Sequence, residues 1–150
     1  MLDTDEAEHL LRGAPDAPFW EALAKDELRV PRCVTCAAWV WPARPACPAC
    51  TSMTFDWTEV APHGTVYSWT RVWYPFVAVR VDQLPYVVLV VELPHAGRVR
   101  ILGTLHGGEA GLAIGATVTG FVAVPSAATY GLPSLQWVLS YVSTESEAGR

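Results

Sequence analysis

Apolar and polar positions alternate most regularly in the C-terminal half of the chain. After Gly64, five short runs rich in valine and aromatic residues are separated by glycine and proline. These runs are GTVYSWTRVW, PYVVLVVEL, RVRILGTL, ATVTGFVAV and LQWVLSYV. Short alternating runs broken by turn residues are typical of β-strands. Five of them in succession predict a small closed barrel.

A helical pattern precedes the predicted strands. Residues 15–27 have the sequence PDAPFWEALAKDE, in which Phe19, Trp20 and Leu23 would share one face of a helix. Asp16 or Ala17 would cap this helix, with Pro18 in its first turn. We expect the apolar face to pack on the body of the protein.

All four cysteines lie in the stretch CVTCAAWVWPARPACPAC, residues 33–50. Cys33 and Cys36 form one Cys-x-x-Cys pair, Cys47 and Cys50 form the other, and ten residues separate the pairs. Two sulfurs on one tight turn can bind the same metal ion, and a second such turn completes the tetrahedron that zinc prefers. Four cysteine ligands leave no position for water, so we predict one structural zinc ion per chain.

Two other interpretations of the cysteines compete with structural zinc. Iron in a rubredoxin-like site would use the same ligands and is the main alternative to zinc. A thioredoxin-type redox pair is disfavoured because it needs a single motif on a βα unit.

The acidic N-terminus does not resemble a signal peptide, and the longest dense apolar run, LPYVVLVV, is too short to span a bilayer. We therefore expect a cytoplasmic protein without membrane contact, whose reduced thiols bind metal.

Charge is scarce and unevenly distributed. Charged residues make up 17% of the chain, the net charge is −5 at pH 7, and residues 110–144 contain no charged side chain. An isolated barrel normally has more charge on its outer face, so this depletion predicts a large interface with a partner protein. Nucleic acid is a disfavoured partner because no lysine or arginine cluster would follow a phosphate backbone.

The order of these motifs resembles the DUF35 family. The resemblance lies in LRVPRCVTC and WPARPACPAC, followed by GTVYS, LPYVVLVVEL and IGATVTGFVAV, and it covers about residues 18–142. It implies a mainly β fold with a short N-terminal helix, a rubredoxin-like zinc ribbon and a five-stranded OB-fold barrel. The expected boundaries are 1–27 for the N-terminal helical segment, 28–60 for the zinc ribbon, 61–142 for the OB-fold domain and 143–150 for a flexible tail.

The resemblance also implies a function. DUF35 proteins are typically non-catalytic subunits of enzymes that act on acyl-CoA. The expected partner is a thiolase-like enzyme, either a thiolase or an aldolase, for which steroid side chains and other lipids are the candidate substrates. Two copies of each subunit would form the hetero-oligomer, with acyl-CoA at the shared site. An enoyl-CoA hydratase of the hot-dog fold is the alternative partner, and a single-stranded nucleic-acid-binding OB module is a less favoured alternative function.

The sequence offers no evident catalytic set of its own. The histidines are His9, His63, His95 and His106, each in a predicted tail, turn or loop. No Ser/His/Asp combination, phosphate-binding loop or catalytic metal motif accompanies them. We therefore expect the chain alone to be inactive and to act as a subunit of an acyl-CoA lyase or acyltransferase complex.

The connection between the first two predicted strands, RVWYPFVAVRVDQLP, is unusually aromatic. In an OB-fold this connection is one of the loops that contact ligands. By hypothesis, Trp73, Tyr74 and Phe76 wall an acyl-CoA channel at the mouth of the partner's active site. Arg71 or Arg80 would then face the CoA phosphates. The alternative is that the aromatic side chains extend the strand and cap the end of the barrel.

Overall fold

The protein is described by a computed structural model that covers residues 13–140. Helix α1 (Ala17–Leu23) precedes strands β1 (Arg29–Cys33) and β2 (Phe55–Glu59), which form a two-stranded antiparallel sheet. The remaining strands form a closed barrel in the order β3-β4-β5-β7-β6. They are β3 (His63–Val72), β4 (Tyr86–Leu93), β5 (Val99–Leu105), β6 (Thr117–Ala123) and β7 (Ser134–Leu139).

The predicted fold class is confirmed, because the short helix, the cysteine-bearing sheet and the five-stranded barrel all form. Antiparallel pairing joins most neighbouring strands, and a short parallel pairing of β5 with β7 closes the barrel. Short 3₁₀ helices at Ala78–Gln83, Pro94–Ala96 and Ala127–Thr129 lie in the connections. The predicted tail at 143–150 and the first twelve residues of the N-terminal segment lie outside the described residues.

Helix α1 begins where the sequence predicts it and packs as expected. Asp16 is the N-cap residue and Pro18 lies in the first turn, but the Asp16 carboxylate does not cap the backbone. It accepts a hydrogen bond from Nε1 of Trp20 instead, at 3.2 Å. Phe19 and Leu23 are buried in the same apolar core as the barrel residues. The helix is therefore attached to the barrel by its apolar face.

The interior of the barrel is built around Trp137 on β7, whose side chain is fully buried. A Cβ atom at Gly103 on β5 would collide with the indole Nε1, and one at Gly120 on β6 would lie 2.8 Å from the indole Cζ3. Real Cβ atoms essentially never come within 3.0 Å of another heavy atom, so a side chain at either position would force its surroundings to shift. Strands β5 and β6 therefore pass on either side of the ring only because these positions lack a side chain.

A Gly103→Ala variant should lose stability because its new methyl group competes with the Trp137 indole. Overpacking of this kind costs about 1–3 kcal/mol of the free energy of unfolding. Gly108→Ala is the matched control, since a Cβ there would meet nothing within 4 Å. Urea unfolding of the zinc-loaded protein measures both variants. Equal stability of the two variants would contradict this account of the core.

Glu92 on β4 is a buried carboxylate, with 8% of the residue exposed. It accepts hydrogen bonds from Nε of Arg98 at 3.1 Å and from Nε of Arg100 at 3.2 Å. The guanidinium of Arg100 also lies 3.5 Å from the ring centroid of Tyr67 on β3. Burial raises the pKa of Glu92, but the two arginines outweigh burial and lower its pKa overall. The ionised carboxylate thus helps to tie β3, β4 and β5 together.

Acid should remove the contribution of Glu92 to stability. Because its pKa is lowered in the folded state, the contribution is present above the ordinary carboxyl pKa of about 4.3. It is lost as the pH falls through the lowered value. The stability advantage of the wild type over Glu92→Gln should therefore shrink between about pH 7 and about pH 3. Glu21→Gln, on the exposed side of α1, is the control, and a pH-independent difference for Glu92→Gln would contradict the account.

Candidate metal centre and ligand-binding face

The four cysteine sulfurs meet at the end of β1. All four Sγ atoms lie within 4.8 Å of one another. The distance is 3.5 Å between Cys33 and Cys50, and 3.7 Å between Cys36 and Cys47. Zinc–sulfur bonds of about 2.3 Å in a tetrahedron place the sulfurs roughly 3.8 Å apart. The cysteines are therefore arranged to bind one metal ion, and the site is consistent with structural zinc.

Two turns of the same form hold these sulfurs. The backbone N–H of Ala37 donates to the carbonyl of Cys33, and that of Thr51 donates to the carbonyl of Cys47, both at 2.9 Å. Ala37 and Thr51 adopt left-handed conformations, with φ of 61° and 63°. Glycine is the residue that adopts this conformation most easily. Its absence strains each turn by roughly 1–2 kcal/mol but removes no ligand.

The thiols differ in acidity before any metal is bound. A hydrogen bond from the backbone N–H of Cys36 lowers the pKa of Cys33 to about 6. A hydrogen bond from the backbone N–H of Ser52 also lowers the pKa of Cys50. The neighbouring Cys36 thiol and burial outweigh it and raise the pKa of Cys50 to about 12. Four adjacent thiolates repel one another, so a bound cation is what allows all of them to ionise.

The cysteine-bearing unit has very little core of its own. Its separate cluster has Cys33, Val40 and Cys47 as buried residues, with Ala38, Cys50 and Phe55 packed around them, whereas Leu28 and Val30 belong to the core of the barrel. So small a cluster cannot stabilise a folded unit alone. The metal is therefore the main source of stability for this segment, at roughly 10 kcal/mol for structural zinc.

Purified protein should contain one zinc ion per chain, and Cys47→Ser should unfold the ribbon while the barrel stays folded. The reason is that the ribbon depends on the metal and the barrel has its own core around Trp137. Elemental analysis gives the metal content, and amide hydrogen exchange reports the two units separately. Val34→Ser is the control, because Val34 is exposed in the first turn and offers no ligand. Bound iron, or folded protein without metal, would contradict the prediction.

Of the five residues that the sequence assigns to a ligand channel, Arg71 lies beside Trp73 and Tyr74 packs on Phe76, whereas Arg80 contacts Ala128 and Tyr86. Trp73, Tyr74 and Phe76 lie in the β3–β4 connection and are 69%, 64% and 79% exposed. The rings of Tyr74 and Phe76 pack edge to face, with centroids 5.1 Å apart. Side chains this exposed cover little of the barrel core, which argues against the alternative that they cap the barrel.

Arg71 is engaged within the chain. Its guanidinium donates two hydrogen bonds to the carboxylate of Glu109 and lies 5.6 Å and 5.8 Å from the ring centroids of Trp69 and Trp73. The pairing with Arg71 lowers the pKa of Glu109. The bond also holds the β5–β6 connection against the end of β3. A phosphate would have to compete with Glu109 for Arg71.

Arg80 has a different environment. Its Nε donates to the carbonyl of Ala128 at 3.2 Å, and its guanidinium lies 5.1 Å from the ring centroid of Tyr86. It lines a cleft of ≈ 280 Å³ between the 3₁₀ helices Ala78–Gln83 and Ala127–Thr129. The cleft opens over the ends of β4 and β5. Sequence reasoning identified Arg80 but missed the contribution of residues 124–129, which come from a distant connection.

Two family models match successive parts of the chain. Residues 20–55 match the rubredoxin-like zinc ribbon domain of ChsH2, and residues 57–122 match the C-terminal OB-fold domain of ChsH2. A solved structure described as the Ltp2-ChsH2(DUF35) aldolase is 28% identical, with a TM-score of 0.72, and the match covers 84% of this chain and 94% of that one. The chain belongs to the DUF35 family. The predicted zinc ribbon and OB-fold are thereby confirmed.

Two further comparisons are more limited in scope. A DUF35 protein of unknown function from Sulfolobus solfataricus is 16% identical over 85% of this chain and 87% of that one, with a TM-score of 0.56, and it supports the fold alone. A Thermomonospora curvata protein named "Probable enoyl-CoA hydratase alpha subunit" is 35% identical over 100 residues, which are 63% of this chain and 31% of that protein. The matched region therefore spans about a third of that relative.

Between residues 13 and 140, no helix is long and apolar enough to cross a membrane.

Proposed function

We propose that this DUF35 protein is a non-catalytic accessory subunit of an enzyme that acts on acyl-CoA. Its partner is a thiolase-like subunit, a thiolase or an aldolase of steroid side-chain or lipid metabolism. The observation that carries the proposal is the similarity to the DUF35 chain of the Ltp2-ChsH2 aldolase over 94% of that chain. The complex contains two copies of each subunit and acts in the cytoplasm, where reduced thiols can retain zinc.

Exposed apolar side chains supply the interface. Trp73, Tyr74 and Phe76 project from the β3–β4 connection, and Ile114 and Val124 are exposed within the uncharged stretch 110–144. Obligate interfaces are depleted in charge and rich in aromatic residues, and they commonly bury more than ~2,000 Å² in total. With the ribbon at 28–60 and the OB domain at 61–142, these exposed side chains place the proposed interface mainly on the OB domain.

The β3–β4 connection also forms part of the acyl-CoA channel in this proposal. In OB-folds this connection and the one between the last two strands flank the usual ligand-binding face. The aromatic rings wall the channel at the partner's active-site mouth, and Arg80 is better placed than Arg71 to meet a CoA phosphate, because Glu109 already occupies Arg71. Catalysis is assigned to the partner subunit.

The described histidines contact neighbouring parts of the fold. The rings of His63 and His95 lie 4.4 Å apart, and Nε2 of His95 is 2.8 Å from the carbonyl of Ala61. His106 packs edge to face on Phe121, with centroids 5.3 Å apart. These are contacts between neighbouring parts of the fold, and none brings a histidine to a nucleophile in the described chain. His9 lies outside the described residues.

A hot-dog-fold enoyl-CoA hydratase is the second candidate partner. The similarity to the Thermomonospora curvata protein, whose name refers to a hydratase alpha subunit, favours it specifically. Affinity purification from the native cell, followed by mass spectrometry, distinguishes a thiolase-like partner from a hydratase. Single-stranded nucleic acid is a weaker candidate, because it requires a positively charged groove and the chain carries a net charge of −5.

Trp73→Ala and Phe76→Ala should weaken assembly with the thiolase-like subunit and lower kcat/KM of the reconstituted complex. Losing a buried ring costs roughly 1.5–3 kcal/mol, which is about a tenfold to hundredfold weaker Kd. Met53→Ala is the matched control, because Met53 is equally exposed but lies on the ribbon. Unchanged assembly, KM and kcat in both ring variants would refute the channel. A loss of thermal stability alone would instead show that the rings cap the barrel.

A further inference from the structure

We propose that residues 107–114 of the β5–β6 connection form a strap that guards an unpaired edge of β3, and that Glu109 clips this strap shut on Arg71. Opening the clip exposes the edge to β3 of a second copy of the chain. A bare strand edge presents backbone N–H and carbonyl groups that readily pair with another strand. This self-association is a property of the chain alone and does not depend on the accessory-subunit function.

The second half of β3 has one neighbouring strand instead of two. Its pairing with β6 ends at Thr65, and Val66 makes the last two backbone hydrogen bonds on that side, with residues 115 and 116. From residue 67 to residue 72, the described backbone hydrogen bonds of β3 go to β4 alone. The first four of these residues, 67–70, are all exposed. The barrel is closed, but this stretch of β3 keeps a bare edge.

The strap runs from one end of this edge to the other. The backbone N–H of Gly115, just after the strap, donates to the carbonyl of Val66 at 2.7 Å. Near the far end of the edge, the Glu109 carboxylate accepts two hydrogen bonds from Arg71. Within the described chain, no backbone hydrogen bond joins residues 107–114 to a strand or a helix. The strap therefore spans the edge without pairing with it.

Glu109 acts as the clip because the strap has few other attachments. The bonds from Arg71 are the only side-chain hydrogen bonds between residues 107–114 and the rest of the described chain. Leu112 is the second attachment, since it is half-buried and packs against the core of the barrel. The remaining residues of the strap are exposed. One ion pair and one apolar contact thus hold the strap in place.

The clip can open while the barrel stays folded. Gly107 at the start of the strap and Gly115 just after it have left-handed conformations, with φ of 84° and 88°. Small residues in connections commonly act as hinges. The side chains of Arg71 and Glu109 remain 33% and 38% exposed, so solvent screens their attraction. Two indole rings near its guanidinium keep Arg71 in position, and the strap is therefore the part that moves.

The edge is suited to a second copy of itself. Residues 67–70, with the sequence YSWT, carry no charge, so two copies can meet without like-charge repulsion. A two-fold interface uses the same surface patch on both subunits, and two antiparallel β3 edges satisfy that condition. Natural edges are often protected by lysine, proline, a bulge or a covering loop. Residues 67–72 contain neither lysine nor proline, so a bulge between Val66 and Ser68 and the strap provide the protection.

NMR relaxation of the full-length, zinc-loaded chain tests the clip. Glu109→Gln and Arg71→Met should each lower the heteronuclear NOE of the backbone amides in residues 108–113, because the strap loses its polar attachment. Glu21→Gln on α1 and Arg44→Met on the ribbon make the same changes of charge at exposed positions, and they should leave the strap as ordered as in the wild type. An equally ordered strap in both clip variants would overturn the proposal.

Analytical ultracentrifugation of the same proteins tests the edge. Both clip variants should dimerise with a Kd at least about fivefold lower than that of the wild type and of the two charge controls. Glu109→Gln and Arg71→Met change the net charge in opposite directions, so net charge does not explain a shared effect. Adding Ser68→Lys to Glu109→Gln should restore the wild-type Kd, because lysines on paired edges repel each other. Clip variants that dimerise no more tightly than the wild type, or dimers that Ser68→Lys leaves intact, would show that the strap does not guard this edge.

Discussion

Closure of the barrel around the indole of Trp137 is the constraint on which the rest of the structure depends. The ring fills the interior, and Gly103 and Gly120 allow β5 and β6 to pass close to it. Closure in turn fixes where each connection emerges. It brings residues 78–83 beside residues 127–129, although they are far apart in sequence. The cleft at Arg80 is therefore a consequence of how the core is packed.

The zinc ribbon depends on the barrel for support as well as on its metal. The indole of Trp39 packs so closely on Gly97 that a Cβ there would lie 2.5 Å from its Cδ1 atom, and Gly97 itself has a φ of 63°. His95 in the same turn contacts the carbonyl of Ala61. The β4–β5 turn thus lies against both the ribbon and the chain segment that joins ribbon to barrel. Metal binding holds the ribbon together, and this junction fixes its position.

The sequence was sufficient to predict the elements whose signals are local. The five strand patterns, the helix at Pro18 and the two cysteine pairs each follow from residues close together in the chain. Contacts between distant residues were not predictable in this way. Arg71 meets Glu109 across 38 positions, and Arg80 meets Ala128 across 48. The sequence therefore singled out both arginines as phosphate ligands, whereas the structure shows that one of them is already paired with a carboxylate.

The central claim is that this DUF35 protein acts as a subunit of an acyl-CoA enzyme. The most direct measurement is acyl-CoA turnover by the purified chain, by its thiolase-like partner and by the two together, with the mass of the complex determined in parallel. The account predicts no turnover by the chain alone, strongly increased turnover by the mixture and a complex with two copies of each subunit. Turnover by a soluble monomer of this chain without a partner would contradict it.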